Sequence, residues 1–226
     1  MGISKIITSG LKESLGKIDE IFKRLKKEYP NEIDMSFKDH DQLFAEHGWY
    51  IYDGSSLEDV LIILKLFDEE KIIKAEGKLT TIIEINLDEI EFDLYEINKE
   101  HSQIVKEAIH CHRMELFYAS TILFLSLADG LTKGKLFTKS YIQKIKNKNN
   151  NHFLLNILNE SNPVNKSYIP NQSSNSELMR NGIMHGNSTN YGSKINSLKA
   201  LSLYHFMTTQ KSKLKKKPWP TYKINC

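Results

Sequence analysis

The sequence predicts an all-α protein, and three observations lead there. Apolar residues recur at helical spacing through much of its length. Helix starts and stops are marked at Ser56, Pro30 and Gly186. The β-branched run Thr80-Thr81-Ile82-Ile83-Glu84-Ile85 has no obvious second strand to pair with. The 226 residues suit one domain, alone or with a helical N-terminal extension, and are enough for a real core. With 26% charged and 40% hydrophobic residues the composition is that of a soluble globular protein, and a formal charge of +3 does not by itself argue for nucleic acid.

Taken in order, residues 11–29 place Leu11, Leu15, Ile18, Ile21, Phe22, Leu25 and Tyr29 at helical spacing among Lys and Glu, and Pro30 stops that helix. A second helix through Phe37, Leu43 and Phe44 ends at His47-Gly48-Trp49-Tyr50-Ile51, where aromatic residues meet the Asp53-Gly54 turn. Such a Trp-Tyr-x-Tyr cluster stacks bases in single-strand binders, but more often it packs a segment onto a core. Ser56 caps a helix from Leu57 to about Glu70, with Val60, Ile63, Leu64 and Phe67 on its apolar side. Over 79–97 the β-branched run competes with Ile83, Leu87, Ile90 and Leu94 at helical spacing. Helix is preferred there, since an isolated strand has no partner. One long helix is then expected from about 98 to 129, with Ile104, Ala108, Cys111, Tyr118, Ile122 and Leu125 buried. Its apolar run from Leu116 to Ala128 is too short to span a bilayer, so no membrane is expected.

His110 and His112 sit two apart on that helix and point about 200° away from each other, so they cannot share an ion without further partners. Cys111 and Cys226 supply neither a disulfide framework nor metal-ligand spacing, so no metal or other cofactor is expected, and a reducing, cytoplasmic setting fits. The N-terminus shows no signal-peptide pattern. Residues 133–176 read as the least ordered region, with a Lys- and Asn-rich stretch from Lys144 to Asn151 and a short helix around Phe153 to Leu158. Lys144, Lys146 and Lys148 are RNA-binding candidates, against the commoner explanation of a solvated face. A final helix carries Leu198, Leu201, Leu203, Tyr204 and Phe206 and ends near Thr208. The tail beyond it, with Lys213, Lys215, Lys216 and Lys217 before Pro218-Trp219-Pro220, suits RNA, anionic lipid or simple solubilisation.

The chemistry concentrates in Arg180-Asn181-Gly182-Ile183-Met184-His185-Gly186. Ser174 followed by Glu177 is a capping-box signature, so a helix of about three turns is expected from near 175, with Gly186 as its stop. Asn181 and His185, four apart, share one side of it, and Arg180 is offset by about 100° over the same concavity. Histidine is the usual acid or base near neutral pH, and arginine's forked donors suit phosphate, so phosphodiester chemistry is the natural suggestion. Asp129, near a helix end where a carboxylate is poorly placed against the dipole, calls for a local partner, either Arg180 or loop amides.

The run Arg180 to Gly186, then Tyr191-Gly192 and Asn196 to Leu203, resembles the C-terminal half of the HEPN family, whose motif is Arg, four to six residues, His. Upstream, Glu107 to His112 and Tyr118 to Leu123, ending in Ala128-Asp129-Gly130, are similar to the helix pair that precedes the motif in bacterial HEPN proteins. The resemblance spans roughly residues 57 to 208. It implies a HEPN-like helical bundle over 56–210, preceded by an accessory helical segment over 1–55 and followed by a basic tail over 211–226. It also implies a metal-independent endoribonuclease of the toxin or phage-defence type, with RNA as substrate and an antitoxin or defence-system protein as partner. A homodimer would bring two motif helices around one cleft. Arg180, His185 and Asn181 are then the catalytic candidates, with Asp129, Glu177 and Tyr191 in support. The alternative within the same family is a non-catalytic module that binds RNA, nucleotide or protein. One HEPN subgroup carries a tyrosine two positions after the histidine, modified by a nucleotidyltransferase partner; here that position is Asn187.

Overall fold

The computed structural model describes residues 17–18, 20–35, 37–136, 138–148, 154, 162–166 and 178–216, and every regular element among them is helical. Residues 20–28 form α1, with Leu25 buried and Ile21 and Phe22 half exposed; Leu11 and Leu15 lie outside the described residues. Tyr29 leaves helical geometry, and Pro30 then opens α2 (Pro30–Asp34), because a proline at the first helical position gives up an N–H that has no intrahelical partner there. Pro30 therefore both stops one helix and starts the next.

After α3 (Phe37–Glu46) the chain passes inward through Trp49, Tyr50 and Tyr52, none more than 5% exposed. The aromatic cluster is core, not a stacking platform. Trp49 Nε1 donates to Glu76 at 3.4 Å, and the Tyr50 hydroxyl accepts from Asn162 Nδ2 at 2.7 Å, so both polar tips are satisfied where they are buried. Ser56 caps α4 (Leu57–Asp68) as the sequence predicts, its Oγ accepting from the Asp59 amide at 3.0 Å. Residues 79–97 are helical, divided between α5 (Ile72–Ile85) and α6 (Leu87–Ile97). The break falls at Asn86, whose side-chain amide donates to the Ile82 carbonyl at 2.7 Å, the local competition with the backbone that asparagine is prone to.

The single helix expected over 98–129 is instead a 3₁₀ turn followed by α7 (Ser102–Arg113) and α8 (Phe117–Gly130), which pack against each other. Glu115, at φ 58°, takes the left-handed conformation that reverses the chain. The buried set agrees with the expected one at Ala108 and Leu125 and departs from it elsewhere. Val105, Ala108, Ile109 and His112 point inward from α7, and Phe124, Leu125, Leu127 and Ala128 from α8. Ile104 is 43% exposed and Tyr118 51%. In the region expected to be least ordered, α9 (Lys139–Lys148) forms. Of the short helix expected around Phe153 to Leu158 only Leu154, buried, is described.

The core is built around the C-terminal helix, here numbered after the short motif helix α10 (Arg180–Met184) as α11 (Lys194–Lys216), which packs on α5, α6 and α8. It does not end near Thr208, and from Asn196 to Thr209 every residue is buried. A surface helix shows an apolar stripe, whereas this one is covered all round. Its last turns are held by charge: Lys211 Nζ donates to the Leu131 carbonyl at 3.1 Å and Lys213 Nζ pairs with Asp53 at 2.6 Å. Among the described residues no helix is long and apolar enough to cross a membrane.

Candidate active site

α10 is a single turn and a half. Met179 is extended (φ −85°, ψ 92°), so the helix begins at Arg180 rather than near 175, and the capping pair Ser174 and Glu177 lies outside the described residues. Leu178, Met179 and Ile183, at most 3% exposed, anchor the turn in the core. Its C-terminal end follows the sequence expectation. Gly186 sits at φ 72°, its amide donates to Ile183 O at 3.1 Å, and the Asn187 amide donates to Gly182 O at 2.8 Å. These two bonds make a Schellman stop, with glycine at the one position that needs a left-handed backbone.

Three of the candidates meet. Arg180 Nη2 donates to Asp129 Oδ2 at 2.8 Å, and Nη1 donates to Asn181 Oδ1 at 3.0 Å. The second Asp129 oxygen accepts from the Leu136 amide at 3.2 Å, so the carboxylate takes both of the partners anticipated for it, the arginine and a loop amide. The side chains of Arg180 and Asp129 are 18% and 15% exposed. A guanidinium gripped by a carboxylate on one arm and an amide on the other has little freedom left, and its charge is held at the surface in one orientation. His185 caps α10, its amide bonded to Asn181 O at 3.2 Å, and is exposed. Among the described residues no hydrogen bond or ion pair holds its ring. The Asn181 amide oxygen is turned to Arg180, not to the imidazole.

Of the other described candidates, Tyr191 and Lys213 make contacts of their own. Tyr191 is buried and meets the ring of Tyr118 edge-on at 4.9 Å, with burial pushing its hydroxyl pKa up. Lys144 is exposed on α9; Lys146 and Lys148 belong to the same helix, with side chains outside the description. Lys213 is engaged with Asp53, Lys215 and Lys216 complete α11, and Lys217 lies outside the described residues.

Sequence reasoning missed a buried polar chain between α7, α8 and α11. His112 Nδ1 lies 2.7 Å from Ser197 Oγ, which lies 2.6 Å from Ser120 Oγ, and all three residues are at most 4% exposed. Burial lowers the His112 pKa, which suits a neutral ring sharing protons with hydroxyls. Nothing in the spacing of 112, 120 and 197 signals the contact. Among the described residues no three His, Cys, Asp or Glu side chains gather as a metal-ligand set. No family model matches the chain, and neither does any curated protein or solved structure.

Proposed function

We propose that the protein is a HEPN-type endoribonuclease that cuts RNA through attack of a ribose 2′-hydroxyl on the adjacent phosphorus. The observation that carries this reading is one helical turn that presents an oriented, partly exposed guanidinium at Arg180 and an exposed imidazole at His185, its ring held by no hydrogen bond among the described residues. In the proposed step the 2′-oxygen bonds to phosphorus as the bond to the 5′-oxygen breaks, leaving a 2′,3′-cyclic phosphate and a 5′-hydroxyl. His185 accepts the 2′ proton or delivers one to the leaving oxygen. Arg180 neutralises charge growing on the phosphoryl oxygens, and Asp129 and Asn181 hold it in place for that task. In the homodimer that the family resemblance implies, two Arg180–His185 pairs line one cleft and divide the two proton transfers. The setting proposed is a cytoplasmic toxin or phage-defence system, with an antitoxin or defence protein as partner.

The test is denaturing-gel analysis of total RNA and tRNA incubated with purified protein in EDTA, beside folded Arg180→Ala and His185→Ala variants. The expected result is cleavage that persists in chelator, spares matching DNA, and falls by at least about 100-fold in each variant. Loss of cleavage in EDTA would contradict the mechanism. A second reading, a non-catalytic module that binds RNA, nucleotide or protein, is favoured by one observation: Arg180 already has a carboxylate partner. RNA binding without cleavage, unchanged by His185→Ala, would establish it instead.

A further inference from the structure

Tyr118 was expected in the core, yet it stands half in solvent at the start of α8. It is nevertheless held from three sides. Its hydroxyl donates to the Thr189 carbonyl at 2.9 Å, and its ring stands across that of Tyr191 at 76°, with centroids 4.9 Å apart. Its ring lies so close over Gly192 that a Cβ there would run into it. That contact explains why position 192 has no side chain. An exposed aromatic ring normally gains nothing from being fixed, and fixing it costs rotamer entropy. A ring already fixed binds a flat partner without that cost.

The surroundings indicate what the flat partner is. The loop that Tyr118 pins runs directly from the motif helix. Asn187, Thr189 and Asn190 are exposed along it, as is His185. Thr189 is four residues from His185, so the chain allows at most about 14 Å between them. Amide and hydroxyl side chains read base edges and sugar hydroxyls, and a half-exposed aromatic ring can take a base of any identity. We infer that Tyr118 is a stacking platform for one nucleobase of a single-stranded RNA lying along the 186–192 loop. The inference rests on the RNA-cleaving reading above and adds to it the subsite that holds the strand. The preferred substrate is accordingly unpaired RNA, since a base stacked in a duplex has no face to offer.

The experiment uses the full chain and a short single-stranded RNA methylated at every 2′-oxygen, so that it binds but cannot be cut. One base is replaced by 2-aminopurine, whose fluorescence is quenched on stacking. Tyr118→Phe keeps the ring without the Thr189 bond, Tyr118→Leu keeps apolar cover over Gly192 without a π face, and thermal unfolding confirms that both are folded. The expected result is quenching and near wild-type affinity in Tyr118→Phe, and affinity weakened by about tenfold to hundredfold with quenching lost in Tyr118→Leu. If Tyr118→Leu binds as tightly as wild type while wild type still cleaves unmodified RNA, the stacking subsite is wrong and the nuclease reading stands. If wild type neither binds the methylated strand nor cleaves RNA, both fall together.

Discussion

Replacing Asp129 by alanine is expected to destabilise the protein by about 2–4 kcal/mol. The carboxylate makes two bonds: one to the Arg180 guanidinium at 2.8 Å, one from the Leu136 amide at 3.2 Å. A hydrogen bond to a charged partner contributes about 1.5–3 kcal/mol, and a part-buried amide left without an acceptor costs about 1 more. Arg180 keeps Asn181 and is 18% exposed, so water reaches it, and the loss stays short of the about 3–5 kcal/mol seen when a fully buried ion pair is broken. Urea unfolding of wild type, Asp129→Ala, Arg180→Ala and the double variant isolates the pair, with an expected coupling of about 1–2 kcal/mol. A coupling below about 0.3 kcal/mol would place the pair among exposed surface bridges and refute the view that Asp129 fixes Arg180.

Two further outcomes follow from groups away from the site. Burial beside Asp53 pushes the Asp41 carboxyl up to about 6, above its ordinary 3.8. A raised folded-state pKa means that the folded protein holds this proton more tightly than the unfolded chain, so stability is lost as pH rises through 6. Asp41→Asn should therefore raise stability at pH 8 by about 1–2 kcal/mol after allowance for solvent screening, and leave it unchanged at pH 4. Equal effects at the two pH values, measured by urea unfolding, would contradict this. Ser197→Ala strips a partner from both His112 and Ser120 inside the core, and a midpoint shift in thermal unfolding equivalent to about 2–3 kcal/mol is expected. A shift under about 0.5 kcal/mol would mean that the chain of hydroxyls and imidazole contributes nothing net.

What could be read from the residues was mostly local. Ser56 marks its helix because one hydroxyl and one amide decide the matter within three residues. Asp129 announced a need for a partner because its place near a helix end is unfavourable without one. The turn at Met114-Glu115-Leu116 had no such mark, since neither glycine nor proline stands there and the left-handed Glu115 is imposed by the packing of α7 on α8. Ala108 and Leu125 are buried as their spacing predicts, whereas Ile104 and Tyr118 stand in the first turns of α7 and α8 and are half exposed. Around the motif, Leu178 and Met179 are drawn into the core in extended geometry, so the helix starts at Arg180, while the glycine stop at Gly186 follows from one residue's backbone freedom. The lysines of 211–216 read as tail by composition, yet Lys211 and Lys213 find oxygen partners that no local pattern reveals.

The all-round burial of α11 has a consequence for how the molecule is made. It follows in sequence every helix on which it packs, so the faces of α5, α6 and α8 that it covers leave the ribosome before it does. Most all-helical domains fold quickly because their contacts are local; here the decisive contacts span long stretches of chain, and loop-closure entropy must be met before they form. Until the residues near 209 are available to pack, the nascent chain exposes an apolar trough, the kind of surface that is prone to aggregate.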